Sequence, residues 1–392
     1  MATPKPIGII GSTGSIGEST LRVVDRHRDR LRVVALAAGR NVARLAEQAE
    51  RYRPEAVAVA DAKCVDELRA RLRGKLATEI LAGGEGIAAI AAWTGVATVV
   101  VAVVGFAGVR PTLAAITAGK NVALANKETL VAAGAVVMPL ARKHGAAISP
   151  IDSEHSAIWQ CLRAGRREEV RRLILTASGG PFRTRPLSTF GQITPDEALA
   201  HPTWSMGPRI TIDSATMMNK GFEILEASWL FDVDPACVDV VIHPQSIVHS
   251  LVEFHDGSSV AQMGVPDMTL PIAYALFAPE RVESAPDLHP FDLASSGPLE
   301  FMPPEAERYP ALDLARRAGI VGGTAGAVLN AADEVAVAAF LDHRLPFTGI
   351  VSLVQAVLDE HDVVFDPGFD DIVSADRWAR ARAEQHLGMS RR

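Results

Sequence analysis

Apolar and polar positions change rhythm twice along the chain. Over residues 1–150, short apolar runs alternate with stretches rich in Ala, Leu, Arg and Glu. Residues 7–10, 31–37, 56–59, 99–103, 121–124 and 146–150 read as strands, with helices between them. The longest apolar run, 96–109, reads as a buried parallel strand and its exit. Strands alternating with helices in this way predict an α/β fold with a doubly wound parallel sheet. Ligands on such sheets bind at the carboxyl ends of the strands. From 151 to 278 the texture differs. Short strands at 172–175, 238–242, 247–253 and 260–263 stand between dense polar turns, predicting a second, central α/β domain. A Pro-rich stretch at 279–309 reads as a linker. Residues 310–392 carry helical patterning, with Ala-rich amphipathic segments at 311–318, 325–341 and 350–361, and predict a small helical bundle.

Composition narrows the function classes. A chain of 392 residues is long for one core. With 48% apolar and 22% charged residues it has globular composition. Its formal net charge of −7 and pI of about 5.9 argue against nucleic acid as a partner. The basic run at 163–172 reads as a solvated helix face. Cys64, Cys161 and Cys237 lie far apart with no Cys-x-x-Cys pair, which argues against a disulfide framework or a zinc site. The longest apolar run, 96–109, is shorter than the ~20 residues that span a bilayer. Without a leader-like N-terminal segment, the chain is expected to be cytoplasmic, with no membrane partner.

The first strand runs straight into Gly11-Ser-Thr-Gly14-Ser-Ile-Gly17, and a helical pattern follows. Glycines there permit positive φ and close approach of the backbone to a pyrophosphate, and the helix N-terminus points free N–H groups at the anion. The motif sits at the first βα turn of a βαβαβ pattern, the context of a Rossmann-like dinucleotide site. The second strand ends in Gly39-Arg40-Asn41, where an NAD site would place an acid. An arginine suits a 2′-phosphate, so NADP is favoured, although Arg40 could also be a plain surface residue. Asn126-Lys127-Glu128 follows another strand. It can position the nicotinamide ribose and a substrate, or serve as a helix start with Glu128 complementing the dipole.

Asp152 and Glu154 lie two residues apart beyond a strand end. Hard oxygens so placed suit Mg²⁺ or Mn²⁺, and a helix cap at Asp152 or Ser153 is the competing reading. Ser214, Asn219 and Lys220 belong to an unusually polar segment and are residue types that hold a phosphate. Ser178-Gly-Gly180 offers a hydroxyl and open backbone amides for the same purpose, and Glu223 could be a third metal carboxylate. His201-Pro-Thr-Trp204-Ser-Met206-Gly207 has the composition of a loop that closes over a ligand, or of ordinary loop packing.

These strings, with Ser178-Gly-Gly-Pro-Phe182, Asp213-Ser-Ala-Thr-Met-Met-Asn-Lys-Gly221 and His243-Pro-Gln-Ser246, resemble the 1-deoxy-D-xylulose 5-phosphate reductoisomerase family in order and spacing over nearly the full length. The resemblance implies a homodimer acting in the non-mevalonate isoprenoid pathway. It implies conversion of 1-deoxy-D-xylulose 5-phosphate to 2-C-methyl-D-erythritol 4-phosphate with NADPH and a divalent cation (Mg²⁺, Mn²⁺ or Co²⁺). It implies that Thr13, Gly14, Ser15 and Ile16 hold the pyrophosphate region and that Gly39, Arg40 and Asn41 hold the adenosine end. Asn126, Glu128 and Gly207 would also contact the cofactor. Asp152, Glu154 and Glu223 would bind the metal, and Ser178, Ser214, Asn219 and Lys220 the substrate phosphate. Lys127, Ser153 and His201 would face the rest of the substrate, with Lys127, Glu154, Glu223 and His201 as the catalytic set and Trp204 and Met206 on a closing flap. Two positions depart from the family's usual residues: Asp333 stands where Asn is expected, and Arg209 where Lys is common. The alternatives are another NADP-dependent aldehyde or semialdehyde reductase, of which a semialdehyde dehydrogenase would need a cysteine nucleophile, and a non-catalytic NADPH-sensing protein.

Overall fold

In the computed structural model, residues 3–200, 207–283 and 291–389 are described, and the apolar runs form the strands they predict. In chain order the first elements are β1 (Lys5–Ile10), α1 (Ser15–Arg26), β2 (Leu31–Ala38), α2 (Val42–Tyr52), β3 (Ala56–Val59), α3 (Val65–Leu72), β4 (Glu79–Ala82) and α4 (Gly83–Ala91). Then come β5 (Thr98–Val101), α5 (Val109–Thr117), β6 (Asn121–Leu124), α6 (Lys127–His144), β7 (Ile148–Pro150) and α7 (Ser153–Cys161). They are followed by β8 (Val170–Ala177), α8 (Pro195–Leu199), α9 (Pro208–Thr216), α10 (Met218–Phe231), β9 (Val238–Ile242), β10 (Val248–Phe254), β11 (Ser259–Met263) and α11 (Thr269–Phe277). The chain ends with α12 (Pro310–Val321), α13 (Ala325–Leu341), α14 (Phe347–Asp359) and α15 (Phe369–Met389).

The chain divides into two compact units. One holds Met1–Thr129, Val137–Ser156 and Asp267–His289. Its sheet is wholly parallel, in the order β4-β3-β2-β1-β5-β6-β7. The order reverses at β1, which lies between β2 and β5, so the crevice beyond the carboxyl ends of β1 and β5 is the expected ligand position. Ile7, Ile9, Leu36, Val57 and Val100 are fully buried on this sheet, with Leu21, Val24 and Leu45 covering it from α1 and α2. Each such side chain contributes roughly 1.5–3 kcal/mol on burial. Strand β4 was not foreseen. It is a four-residue edge strand, only partly buried, so it lacks the continuous apolar run of its neighbours. Helix α11 packs on α1 and is tied there by Lys5 Nζ, which donates to Leu276 O at 2.6 Å.

The other unit holds Leu130–Val136, Ala157–Pro266 and Pro290–Arg392. It contains a four-stranded sheet, β11-β10-β8-β9, in which β8 and β9 are parallel and the other pairs antiparallel. His243 fixes the turn between β9 and β10. Its Nδ1 lies 2.8 Å from Glu300 O, and its Nε2 accepts from the backbone N–H groups of Ile247 and Val248, both at 3.1 Å. Helices α12 to α15 pack on one another, and α10 packs on α12. That last contact is close. A Cβ on Gly221 would stand 2.6 Å from Ala315 Cβ. The basic run at 163–172 is not a helix face. It forms short 3-10 turns and the start of β8, where Arg166 pairs with Glu169 and Arg172 with Asp239 and Glu253.

Candidate active site

The glycine turn is built as its residue types require. Gly11 has φ +88°, and a Cβ there would lie 2.5 Å from Ala102 O, at the end of β5. The backbone N–H groups of Gly11 and Ser12 both donate to Ala37 O, pinning the turn to β2. Gly14 caps α1 without a side chain, so the first N–H groups of α1, beginning at Ser15 and Ile16, keep their anion-binding direction. Thr13 and Ile16 are half-buried and Ser15 is exposed. Gln48 braces the loop by donating from Nε2 to Ser12 O at 2.9 Å and to Glu18 Oε1 at 2.8 Å. The ion pair with Arg44 holds the Glu18 carboxyl below its ordinary range.

At the end of β2, nothing stands within 4 Å of a Cβ built on Gly39. The Arg40 side chain is 85% exposed and lies 3.3 Å from Asp61 Oδ2. Asn41 caps α2, its Oδ1 accepting from Arg44 N at 3.2 Å. The 2′-phosphate reading therefore rests on Arg40, with open space at Gly39 beside it.

The triplet after β6 does three separate things. Asn126 caps α6 through Thr129 N, and its Nδ2 donates to Val103 O, Gly105 O and Glu128 Oε2. Glu128 in turn accepts from Gly105 N at 3.0 Å. Both side chains thus anchor the loop that leaves β5. Asn126 also fills the space left by Gly108, where a Cβ would overlap its amide. Lys127 is buried, and its Nζ is 2.6 Å from Asp152 Oδ2.

Asp152 follows β7, on the same carboxyl edge of the sheet as the glycine turn. A carboxylate oxygen of Asp152 and one of Glu154 lie within 4.8 Å of each other. Ser153 Oγ donates to Glu154 Oε2 at 2.5 Å. His155 is fully buried, with Nδ1 3.9 Å from Asp152 Oδ2. Two oxygen donors at this spacing, with no sulfur among them, fit a hard divalent cation.

In the other unit, Met217 makes the turn between α9 and α10 with φ +64°, a left-handed conformation uncommon outside glycine. Asn219, Lys220 and Glu223 then share one face of α10. Asn219 Nδ2 lies 2.6 Å from Glu223 Oε1 and Lys220 Nζ 2.5 Å from Glu223 Oε2, and Glu223 is 1% exposed. Gly179 and Gly180 both have positive φ, and a Cβ on Gly180 would stand 2.9 Å from Ser214 O, so the Ser178 turn lies directly against α9. Its supports were not visible in the sequence. Tyr309 Oη donates to Gly179 O at 2.8 Å, and Arg308 Nη1 donates to Phe182 O and Arg185 O. Burial pushes the Tyr309 hydroxyl up to about 12, so it stays protonated and remains a donor. Gly207 begins α9. His201, Trp204 and Met206 lie outside the described residues.

Cys161 is buried on α7, and burial pushes its thiol up to about 11, which disfavours the thiolate that attack on an aldehyde needs. Among the described residues, no helix is long and apolar enough to cross a membrane.

A doubly wound parallel sheet with a glycine turn at its reversal point defines the class: a dinucleotide-binding oxidoreductase. Comparison with known proteins goes further. Residues 7–134 match the family model described as 1-deoxy-D-xylulose 5-phosphate reductoisomerase, and residues 148–231 and 263–382 match its two C-terminal domain models. A relative of that name from Pelotomaculum thermopropionicum is 55% identical over 96% of this chain and 97% of its own. One from Thermomicrobium roseum is 52% identical over 97% of each chain. The solved reductoisomerase from Zymomonas mobilis in complex with NADPH is 42% identical, with TM-score 0.92, and covers 98% of this chain and 99% of its own. A reductoisomerase solved with NADPH, fosmidomycin and magnesium is also 42% identical, with TM-score 0.94 over 99% of both chains. The chain belongs to the 1-deoxy-D-xylulose 5-phosphate reductoisomerase family, and its activity is the conversion that gives the family its name. The two positions that depart from the usual residues meet: Arg209 Nη2 lies 3.5 Å from Asp333 Oδ2.

Proposed function

We propose that this chain converts 1-deoxy-D-xylulose 5-phosphate to 2-C-methyl-D-erythritol 4-phosphate, oxidising NADPH to NADP⁺ with the help of Mg²⁺, Mn²⁺ or Co²⁺. The observation that carries this reading is the pair Asp152 and Glu154 beside Lys127, on the sheet edge that also bears the glycine turn. Solved relatives hold NADPH and magnesium. Thr13, Gly14, Ser15 and Ile16 take the pyrophosphate, and Gly39, Arg40 and Asn41 the adenosine end. Asn126, Glu128 and Gly207 shape the remaining cofactor site. Asp152, Glu154 and Glu223 hold the cation. When bound, it stabilises negative charge on neighbouring substrate oxygens as a Lewis acid.

The side chains do the rest. Ser178, Ser214, Asn219 and Lys220 hold the phosphate, whose binding orients carbons remote from it. Lys127 places positive charge at the reacting oxygens and can move a proton there, while Ser153 and His201 position the sugar chain. Trp204 and Met206 close over the substrate and exclude water. The rearranged carbon skeleton is an aldehyde, which takes a hydride from NADPH and a proton from the site. The working form is a homodimer in the cytoplasm, with domains at 1–150, 151–278 and 310–392 joined through 279–309.

The test is NADPH oxidation followed by absorbance. It is expected to require both 1-deoxy-D-xylulose 5-phosphate and a divalent cation, and to stop on chelation while NADPH remains bound. Steady oxidation in chelator, or with a simple aldehyde in place of the sugar phosphate, would overturn the reading. Arg40→Ala is expected to raise KM for NADPH by roughly tenfold, the worth of a lost charge-assisted contact of about 1.5 kcal/mol, and to leave KM for NADH unchanged. Equal changes for both cofactors would show that Arg40 does not read the 2′-phosphate.

A further inference from the structure

One guanidinium joins three helices of the second unit. Arg209 is the second residue of α9. Its Nη1 donates to Glu334 Oε1 at 2.7 Å and its Nη2 to Asn330 Oδ1 at 2.8 Å, both on α13. Its Nε lies 3.5 Å from Asp213 Oδ2 on α9 itself. Its plane stands over the Phe222 ring on α10, with Cζ 5.8 Å from the ring centroid. The side chain is only 16% exposed, and Asp333, the fourth carboxyl-bearing or amide partner, is fully buried. Burial pushes the Asp333 carboxyl up to about 6, against the pull of Arg209.

The partners have a common feature. Asp213 immediately precedes Ser214, and Phe222 immediately precedes Glu223. Arg209 itself lies three residues after Met206. A single planar fork therefore touches the residue before the proposed phosphate ligand Ser214 and the residue before the proposed metal ligand Glu223.

We propose that Arg209 is a positioning residue for the reductoisomerase reaction, locking α9 and α10 onto α13 so that Ser214 and Glu223 are held in register for the substrate. This rests on the roles given above to Ser214 and Glu223. Family members that commonly carry lysine here carry asparagine at 333; in this chain, with Asp333 in that place, a point charge on a flexible stem would not engage Glu334, Asn330 and Asp213 together as the planar fork does.

The experiment compares Arg209→Lys with Glu334→Gln, a milder change at the far end of the lock, and with Ser214→Ala as reference. Each is assayed for kcat, for KM of both substrates, for NADPH dissociation and for melting temperature. Arg209→Lys is expected to raise KM for 1-deoxy-D-xylulose 5-phosphate and lower kcat by roughly tenfold to hundredfold in kcat/KM, with NADPH dissociation unchanged. Glu334→Gln is expected to move the same constants in the same direction by less. A lower melting temperature with wild-type kcat and KM in both variants would mean a merely structural contact and would overturn the proposal. If Ser214→Ala raises KM for the sugar phosphate and neither lock variant does, the proposal fails alone. If Ser214→Ala leaves that KM unchanged, the phosphate assignment fails and the proposal falls with it.

Discussion

Glu223→Gln is expected to lower kcat by about 10²–10⁴-fold while NADPH still binds. A metal-bound carboxylate helps supply several kcal/mol of charge stabilisation, and each ~1.4 kcal/mol is tenfold in rate. The substitution keeps the size of a side chain that is 1% exposed, so no cavity forms. It does remove the anion facing Lys220 Nζ at 2.5 Å. Loss of one partner of a buried pair costs about 3–5 kcal/mol, so the melting temperature must be followed beside the rate. Glu154→Gln, at a half-buried position, separates the two effects. It should lose turnover with little loss of stability. Near-normal turnover for Glu223→Gln at saturating Mg²⁺ would end its assignment to the metal.

Gly17→Ala is expected to act on the cofactor side. Gly17 lies inside α1, and a Cβ there would overlap Gly11 O and stand 2.5 Å from Ser12 Cα. Those are backbone atoms, so the turn must move. Overpacking of this kind costs about 1–3 kcal/mol. If half of that, about 0.5–1.5 kcal/mol, falls on the bound state, the NADPH dissociation constant rises roughly two- to tenfold. Titration of NADPH against the variant measures it, and kcat at saturating NADPH should recover most of its value. An unchanged dissociation constant would show that the third glycine serves helix packing alone.

The parallel sheet was legible because burial on both faces writes an unbroken apolar run into each central strand. Edge strand β4 is covered on neither side so fully, and its residues Glu79–Ala82 carry no such run. Helix α13 was legible to the residue, since its Ala-rich face is buried along its length. Helix α15 was not itemised, because charged residues break its apolar stripe. The order of the second sheet was hidden by distance along the chain: β8 pairs with β9 and β10, all more than 50 residues away in sequence from one end or the other. The return of α11 to the first unit has no local signature at all.

The site followed the same division. Residues proposed for the chemistry on their type alone, such as Asp152, Glu154, Ser214 and Lys220, stand out in the string. Residues that support them could not. Gln48 under the glycine turn, Tyr309 and Arg308 under Ser178, and the fork of Arg209 act through partners 36 to 130 positions away. Ordinary polar side chains acquire such roles only from the fold.

The bracing of the glycine turn has a thermodynamic consequence. Ser12 is held from one side by Ala37 O and from the other by Gln48, which also grips Glu18. The glycine-turn loop thus gives up its conformational entropy when the chain folds, before any ligand arrives. If the pyrophosphate binds here as proposed, it meets a loop already ordered, and the free energy of its contacts appears as affinity instead of being consumed in ordering the loop.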